Sequence, residues 1–330
     1  MKKTKKLLAC LIAAATMFTM GSTAFAAEAD TTYKDQSTVT IKKAYELTND
    51  KTTSPAETFT LEQTASRVVD GEAKSAPELL AINGAAFVKG EATVQGAKEG
   101  ITVTLPKYTM VGVYEYTLKE IAGKTAGVTY YGNDIKLVVT VINDDNGNLR
   151  IAAVHTEGQG EDKNDTFTNT YSAGKLNITK TVTGNLGDKN KKFHFTVTLK
   201  KPENKEVKSD ITATVAGADQ GTIALDWTSG SCKYEFDLAD GETASLDNIP
   251  YGVEYTVTEN DYKTEGYTTT ETGDTGSVAA VEQTAAFTNN KDGKIDTGVN
   301  LTTLPYILVF AGVIVIAGAA FITRRRKFED

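Results

Sequence analysis

Lysine, glutamate and asparagine recur in the same order in the two halves of this 330-residue chain. The two sets are Lys43, Glu120 and Asn169, and Lys180, Glu259 and Asn289. An amine, a carboxyl group and a carboxamide can together form an amide: a neutral lysine attacks the asparagine side-chain carbonyl, the glutamate polarises that carbonyl and passes protons, and ammonia leaves. The residue types therefore predict one self-formed isopeptide cross-link in each half, promoted by Glu120 and by Glu259.

Strand alternation predicts that these polar side chains point inward. Successive side chains of a strand point to opposite faces, so residues two apart share a face. Lys43 shares parity with Val39 and Ile41, and Asn169 follows Phe167 by two residues. Both glutamates and the second lysine and asparagine share parity with apolar neighbours in the same way. We therefore expect each set to lie in a core, where burial favours a neutral amine and a neutral carboxyl group.

Each of these residues alone has an ordinary explanation, because a lysine at a strand end often extends its amine to solvent and an asparagine often stabilises a turn. The same three types on the inward face in both halves are harder to explain in that way. Burying an unpaired charge costs several kcal/mol. The cross-link removes that cost, because it converts the charged groups and the reactive amide into a neutral bond.

The elements that carry these residues are predicted to be strands. Alternating segments rich in Thr, Val and Tyr are separated by clusters of Gly, Asn and Asp, which is typical of a β-sandwich. Segments also repeat: Gly112–Glu120 resembles Gly252–Glu259, and Phe167-Thr168-Asn169 recurs as Phe287-Thr288-Asn289. Two copies in one order indicate two homologous domains. We predict an all-β chain of two tandem immunoglobulin-like (CnaB-type) sandwiches, at residues 27–171 and 172–292.

The two ends of the chain predict export and anchoring. Residues 1–26 have lysines, an apolar run and an Ala-x-Ala site, as in a cleaved signal peptide. Residues 293–330 resemble a cell-wall sorting signal, with a motif at 294–298, an apolar span at 304–322 and a basic tail at 323–330. A sortase would cut between Thr297 and Gly298, although Lys294 and Ile295 replace the usual Leu-Pro. A simple single-pass anchor is the alternative.

Composition narrows the classes of function. The formal net charge is −8, which disfavours nucleic acid as a partner. Beyond the signal peptide Cys232 is the single cysteine, so no internal disulfide can form. Only His155 and His194 are present, and no Cys/His spacing or glycine-rich phosphate loop occurs. We expect no metal, no cofactor and no enzyme activity beyond the self-formed cross-links.

The chain resembles the streptococcal T-antigen-type backbone pilin family across nearly its whole mature length. The resemblance lies in the strands ending at Lys43 and Lys180, in Gly-Val-x-Tyr-x-Val-Thr-Glu-x-Asp-Tyr around Glu259, and in Phe-Thr-Asn-x-Lys-Asp at Phe287–Asp292. It implies a cross-link of Lys43 with Asn169 assisted by Glu120, and one of Lys180 with Asn289 assisted by Glu259. These are the residues that alternation selects.

The resemblance also implies assembly. In the family, a pilus sortase joins the threonine of one subunit's sorting motif to a lysine late in the next subunit's first domain. Lys163 is the nearest match, and Lys175 is the alternative acceptor. The implied partners are further copies of this chain, the sortase, minor tip and base pilins, and peptidoglycan. The expected location is a wall-anchored pilus reached through a membrane-held precursor, and a wall-anchored monomeric adhesin or stalk is the alternative.

Overall fold

The computed structural model describes residues 36–158 and 163–294. Two units follow each other along the chain, and each has its own apolar core. The strands of the first unit are β1 Thr38–Leu47, β2 Glu57–Phe59, β3 Leu61–Gly71, β4 Ala81–Asn83, β5 Ala85–Phe87, β6 Ala97–Thr104, β7 Gly112–Glu120, β8 Val128–Thr129, β9 Ile135–Asn143, β10 Leu149–Glu157 and β11 Thr166–Tyr171.

The second unit begins one residue later. Its strands are β12 Ala173–Thr183, β13 Phe193–Lys200, β14 Thr212–Val215, β15 Ala218–Thr222, β16 Ser231–Leu238, β17 Thr243–Pro250, β18 Glu254–Glu259, β19 Thr268–Thr272, β20 Thr275–Ser277 and β21 Glu282–Asn290. The one helical element of the described residues is a 3-10 turn, Lys263–Glu265.

Each unit is a sandwich of two sheets. In the first unit, a sheet with strand order β4-β6-β1-β11-β8 faces a sheet with strand order β10-β9-β7-β3. Strands β2 and β5 form a separate two-stranded sheet. In the second, β15-β14-β17-β12-β21-β19 faces β16-β13-β18-β20. The first and last strands of each unit, β1 with β11 and β12 with β21, are parallel neighbours. The predicted all-β fold of tandem sandwiches is confirmed.

Burial alternates along the strands that matter for the site. In β1, Val39, Ile41 and Lys43 are buried, whereas Thr40 and Lys42 are exposed. In β21, Ala285, Phe287 and Asn289 are likewise buried at every second position. The lysines and asparagines therefore lie among the aromatic and β-branched side chains that fill each core.

The two units meet through backbone and side-chain contacts around Ser172. Glu206 of the second unit donates its N–H to the Lys124 carbonyl at 2.7 Å and accepts the Ala126 N–H at 2.8 Å. Asn248 accepts the N–H of Thr53 at 3.1 Å and donates to the Thr53 carbonyl at 3.0 Å. Gly127, with φ of +78°, permits close approach, because an added Cβ would lie 2.5 Å from the Ser172 carbonyl oxygen.

An ion pair adds to this junction. The buried carboxylate of Glu57 accepts hydrogen bonds from the Thr125 hydroxyl at 2.8 and 2.9 Å, and from the Lys208 amine of the second unit at 3.0 Å. These contacts satisfy a carboxylate that would otherwise be costly to bury.

Several predictions fall on residues outside the described ranges. These are the signal peptide at 1–26, the Thr297–Gly298 cleavage position, the span at 304–322 and the tail at 323–330. Within the described ranges no helix is long and apolar enough to cross a bilayer. The exact domain limits stay predictions.

Candidate cross-linking sites

The lysine and the asparagine of each set lie on adjacent parallel strands with the same offset. In the first unit Lys43 pairs with Phe167, so that Asn169 lies two residues further along β11. In the second unit Lys180 pairs with Phe287, and Asn289 again lies two residues further along β21. Residues two apart share a face, so the lysine and the asparagine of each pair project into the same core.

The glutamate reaches each pair from the opposite sheet. Glu120 ends β7 and Glu259 ends β18, and both strands belong to the sheet that faces the lysine and the asparagine. The amine, the carboxyl group and the carboxamide are therefore supplied by three strands that are distant in sequence. A fold of this kind can hold them at contact distance without help from a loop.

The first site is a closed triangle of hydrogen bonds. The Lys43 amine donates to Glu120 Oε2 and, at 2.7 Å, to Asn169 Oδ1. Asn169 Nδ2 donates to Glu120 Oε1 at 2.5 Å. Asn169 Oδ1 also accepts the backbone N–H of Tyr131 at 2.7 Å. Lys43, Glu120 and Asn169 are at most 4% exposed, so the triangle is dry.

The second site has the same members with fewer bonds. The Lys180 amine donates to Glu259 Oε1 at 2.5 Å, and the Thr269 hydroxyl donates to Glu259 Oε2 at 3.3 Å. Asn289 is fully buried, yet neither atom of its carboxamide has a hydrogen-bond partner. A buried, unsatisfied amide is rare and costs about 1–3 kcal/mol per group. Conversion of this amide into a cross-link would explain why an unsatisfied carboxamide is placed in the core.

Burial lowers the pKa of both amines. Desolvation lowers the pKa of Lys43 below its ordinary value, and the charge and hydrogen bond of Glu120 oppose that effect. Desolvation likewise lowers the pKa of Lys180, against the opposing effect of Glu259 and Asp240. A depressed pKa increases the fraction of neutral amine, which is the nucleophilic form.

Aromatic rings surround both amines. The Lys43 Nζ lies 5.3 Å from the ring centroid of Phe59 and 5.6 Å from that of Tyr131. The Lys180 Nζ lies 4.0 Å from the centroid of Phe193 and 5.8 Å from that of Phe195. These rings exclude water from the amine, and their π faces stabilise its positive charge while it is protonated. Sequence reasoning did not identify them as site residues.

Together these groups can perform amide formation. Each amine lies against a carboxylate that can accept its proton, and in the first site the same carboxylate contacts the nitrogen that must leave. Glu120 thus contacts the amide nitrogen, and the amide oxygen accepts hydrogen bonds from the Tyr131 backbone N–H and from the Lys43 amine. No group of three or more His, Cys, Asp or Glu among the described residues is arranged to hold a metal ion.

The two candidate acceptor lysines differ in their surroundings. Lys163 is exposed and its backbone bridges to Glu157 at the end of β10. Lys175 lies inside β12, is partly buried, and pairs with Asp247 at 3.0 Å. Both are remote in sequence from Thr297 and Gly298, which are outside the described residues.

Comparisons with known proteins cover both units. Residues 26–172 match the family described as FctA, Spy0128-like isopeptide containing domain, and residues 174–291 match a domain of unknown function, DUF7601. A pilin of Streptococcus pyogenes serotype M1 is 32% identical over 235 residues, which are 66% of this chain and 68% of that protein. The pilus tip adhesin Cpa of Streptococcus pyogenes is 34% identical over 134 residues, 39% of this chain and 18% of the adhesin.

A solved structure extends the similarity to three dimensions. The crystal structure of the major pilin from Streptococcus pyogenes matches with a TM-score of 0.55 and 25% identity, over 79% of this chain and 100% of that one. Coverage of that extent requires both sandwiches, since neither unit alone makes up so much of the chain.

Proposed function

This chain belongs to the T-antigen-type pilin family, and on that basis we propose that each of its two domains is locked by a lysine-asparagine amide and that a sortase links the subunits. The chain is a backbone subunit of a pilus on a Gram-positive cell surface, and its role is structural. Its partners are other pilin subunits. We further propose that a sortase assembles the subunits and that the pilus is attached to peptidoglycan in the cell wall.

One observation carries the proposal of internal cross-links. Both units place a buried lysine and a buried asparagine on neighbouring parallel strands in the same register, with a glutamate from the opposite sheet on the amine. A core that only needed apolar packing would have no reason to repeat this polar set. Proximity and orientation in a dry site can supply about 7–11 kcal/mol toward the barrier, so the reaction needs no separate enzyme.

The atoms balance in a simple sequence of steps. The neutral Lys43 Nζ attacks Asn169 Cγ, and a carbon–nitrogen bond forms as the carbonyl oxygen takes the electron pair. Glu120 accepts a proton from Nζ and delivers one to Nδ2, the two nitrogens that its oxygens contact. The carbonyl reforms, ammonia departs, and an amide remains. In the second domain Glu259 contacts the attacking Lys180 amine but not the carboxamide of Asn289. We propose the same overall condensation there, with Glu259 reaching the leaving nitrogen only after Lys180 has attacked.

Assembly requires an exposed amine and an accessible carboxyl-terminal peptide. The internal lysines are buried, which excludes them as acceptors. Lys163 is exposed, whereas Lys175 is partly buried in an ion pair within a strand, and this contrast supports Lys163 as the acceptor. We propose that the sortase cleaves between Thr297 and Gly298 and transfers Thr297 to the Lys163 amine of the next subunit.

The cross-links predict a mass change. Purified protein should be lighter than its sequence by about 34 Da, because each condensation releases one ammonia of roughly 17 Da. Intact-mass spectrometry measures this directly, and peptide mapping should recover Lys43 joined to Asn169 and Lys180 joined to Asn289. A mass equal to that of the unmodified chain would refute the proposal.

Loss of either glutamate should block one cross-link. In Glu120→Ala, and in the more conservative Glu120→Gln, the mass deficit relative to the variant's own sequence should fall from about 34 Da to about 17 Da, because the proton carrier of the first site is gone. Glu259→Ala should have the same effect on the second site. Glu115→Gln is a matched control, since Glu115 is also a low-exposure carboxylate of β7 but pairs with Arg67. A Glu120→Gln protein with the full wild-type loss would remove Glu120 from the mechanism.

A further inference from the structure

The two sites differ in what contacts the asparagine oxygen. In the first site Asn169 Oδ1 accepts the backbone N–H of Tyr131 at 2.7 Å, in addition to the Lys43 amine. A backbone N–H can only donate, so this contact also fixes which end of the carboxamide is oxygen. The other end, Nδ2, consequently faces Glu120. The Tyr131 backbone therefore orients the amide with its leaving group toward the proton carrier.

The strand pattern explains why this N–H is free to act. The pairing of β8 with β11 ends at Thr129 opposite Thr170, two residues before Tyr131. In the second domain β19 instead continues along β21 past the asparagine, with Thr269 opposite Asn289 and further pairs beyond it. Early termination of β8 thus leaves a backbone donor directed at the reacting amide of the first domain. No hydrogen-bond donor reaches the Asn289 oxygen.

Charge develops on this oxygen during the reaction. When Lys43 attacks, the carbonyl oxygen of Asn169 becomes an oxyanion, and a donor already held in place stabilises it without reorganisation. The site is dry, and electrostatic interactions are stronger there than in water. The donor gives up no proton in the net reaction, so the atoms still balance as amide plus ammonia.

We propose that the backbone N–H of Tyr131 is a catalytic oxyanion donor for the Lys43–Asn169 cross-link, and that the Lys180–Asn289 cross-link forms without an equivalent donor. This inference rests on the proposed internal cross-links. It assigns the role of carbonyl polarisation to the backbone and leaves proton transfer to Glu120. The Tyr131 ring has a separate role, since it packs edge-on against Phe167 with centroids 5.2 Å apart.

Removal of the N–H tests the proposal. Tyr131→Pro lacks the donor, whereas Tyr131→Ala keeps it and loses only the ring. Protein made by cell-free synthesis is sampled over time after translation stops, and mass spectrometry of proteolytic peptides quantifies each cross-link separately. Loss of one oxyanion donor typically slows a reaction by about 10²–10³-fold. We expect Tyr131→Pro to slow the first cross-link by about that factor and Tyr131→Ala to slow it far less.

The second cross-link is an internal control in the same molecule. It should form at the wild-type rate in every Tyr131 variant, which shows that the second domain has folded and that ammonia loss is detected. Because proline can disturb the backbone, a second variant replaces the amide of residue 131 with an ester through an α-hydroxy acid, which removes the N–H alone. It should slow the first cross-link as Tyr131→Pro does.

The outcomes distinguish failure of the Tyr131 role from failure of the internal cross-links. A wild-type rate for the first cross-link in the ester variant would overturn the role of Tyr131 while leaving the cross-links intact. Equal slowing by Tyr131→Ala and by the ester would also overturn it, because the effect would then belong to packing. No cross-link in the wild-type protein would refute the proposed internal cross-links themselves.

Discussion

Lys163→Arg is expected to abolish covalent multimers of this pilin. Arginine keeps the positive charge but is not a nucleophile that a sortase can use, since its guanidinium stays protonated in proteins. Wall extracts boiled in detergent should then contain the single subunit in place of a ladder. Both internal cross-links should still form, because Lys43 and Lys180 are buried in cores that Lys163 does not enter.

Lys175→Arg is the matched control, because it changes the other candidate acceptor and retains a cation that can pair with Asp247. It should leave the ladder unchanged. Sequencing of the branched peptide from wild-type multimers should show Thr297 joined to the Lys163 side chain. Attachment to Lys175 would move the acceptor to β12, and a single band from the wild-type strain would favour a monomeric wall-anchored protein.

Much of the fold could be predicted because strands have a period of two. Lys43 and Asn169 each share parity with a buried hydrophobic residue in the same strand, so alternation alone indicates their direction. The repeat of segments around Glu120 and Glu259 indicates two domains without knowledge of their packing. These inferences need only local sequence, and the structure places all of these side chains toward a core.

Contacts between loops and ends could not be predicted in the same way. The approach of the Tyr131 N–H to Asn169 depends on where β8 stops, and nothing in the alternation of Val128 and Thr129 marks that point. The pairing of Glu57, at the start of the short strand β2, with Lys208, in an irregular segment, joins residues that are 151 positions apart in the sequence. Such contacts arise from tertiary packing, which has no sequence period.

The proposed cross-links determine how tension would pass through a subunit in the pilus. Force that enters at the proposed acceptor Lys163 would follow β11 to Tyr171 and cross the single residue Ser172 into β12. At Lys180 it can pass directly through the cross-link to Asn289 and onward to the carboxyl end. The chain before Lys163 lies outside this path. The chain between Lys180 and Asn289 is bypassed as long as the second amide exists.

Asn289→Ala should therefore make the subunit extensible when it is pulled between residue 163 and the carboxyl terminus. The roughly 110 residues between Lys180 and Asn289 would then bear load, and their unfolding could release on the order of 360–400 Å at about 3.3–3.6 Å per residue. Wild-type protein should show no such step, because a covalent bond carries the load. Single-molecule force spectroscopy through a Lys163→Cys handle measures the difference.

Asn169→Ala in the same handle background is the decisive comparison, since it also removes one cross-link but from the domain outside the load path. It should add little extension with this geometry. Burial raises the pKa of the Cys232 thiol to about 11. A thiol-reactive handle should therefore attach to the exposed cysteine introduced at residue 163 and not to Cys232. Equal steps in the two variants would show that the first domain also carries tension. Absence of a step in Asn289→Ala would show that hydrogen bonds between β12 and β21 withstand the force without the amide.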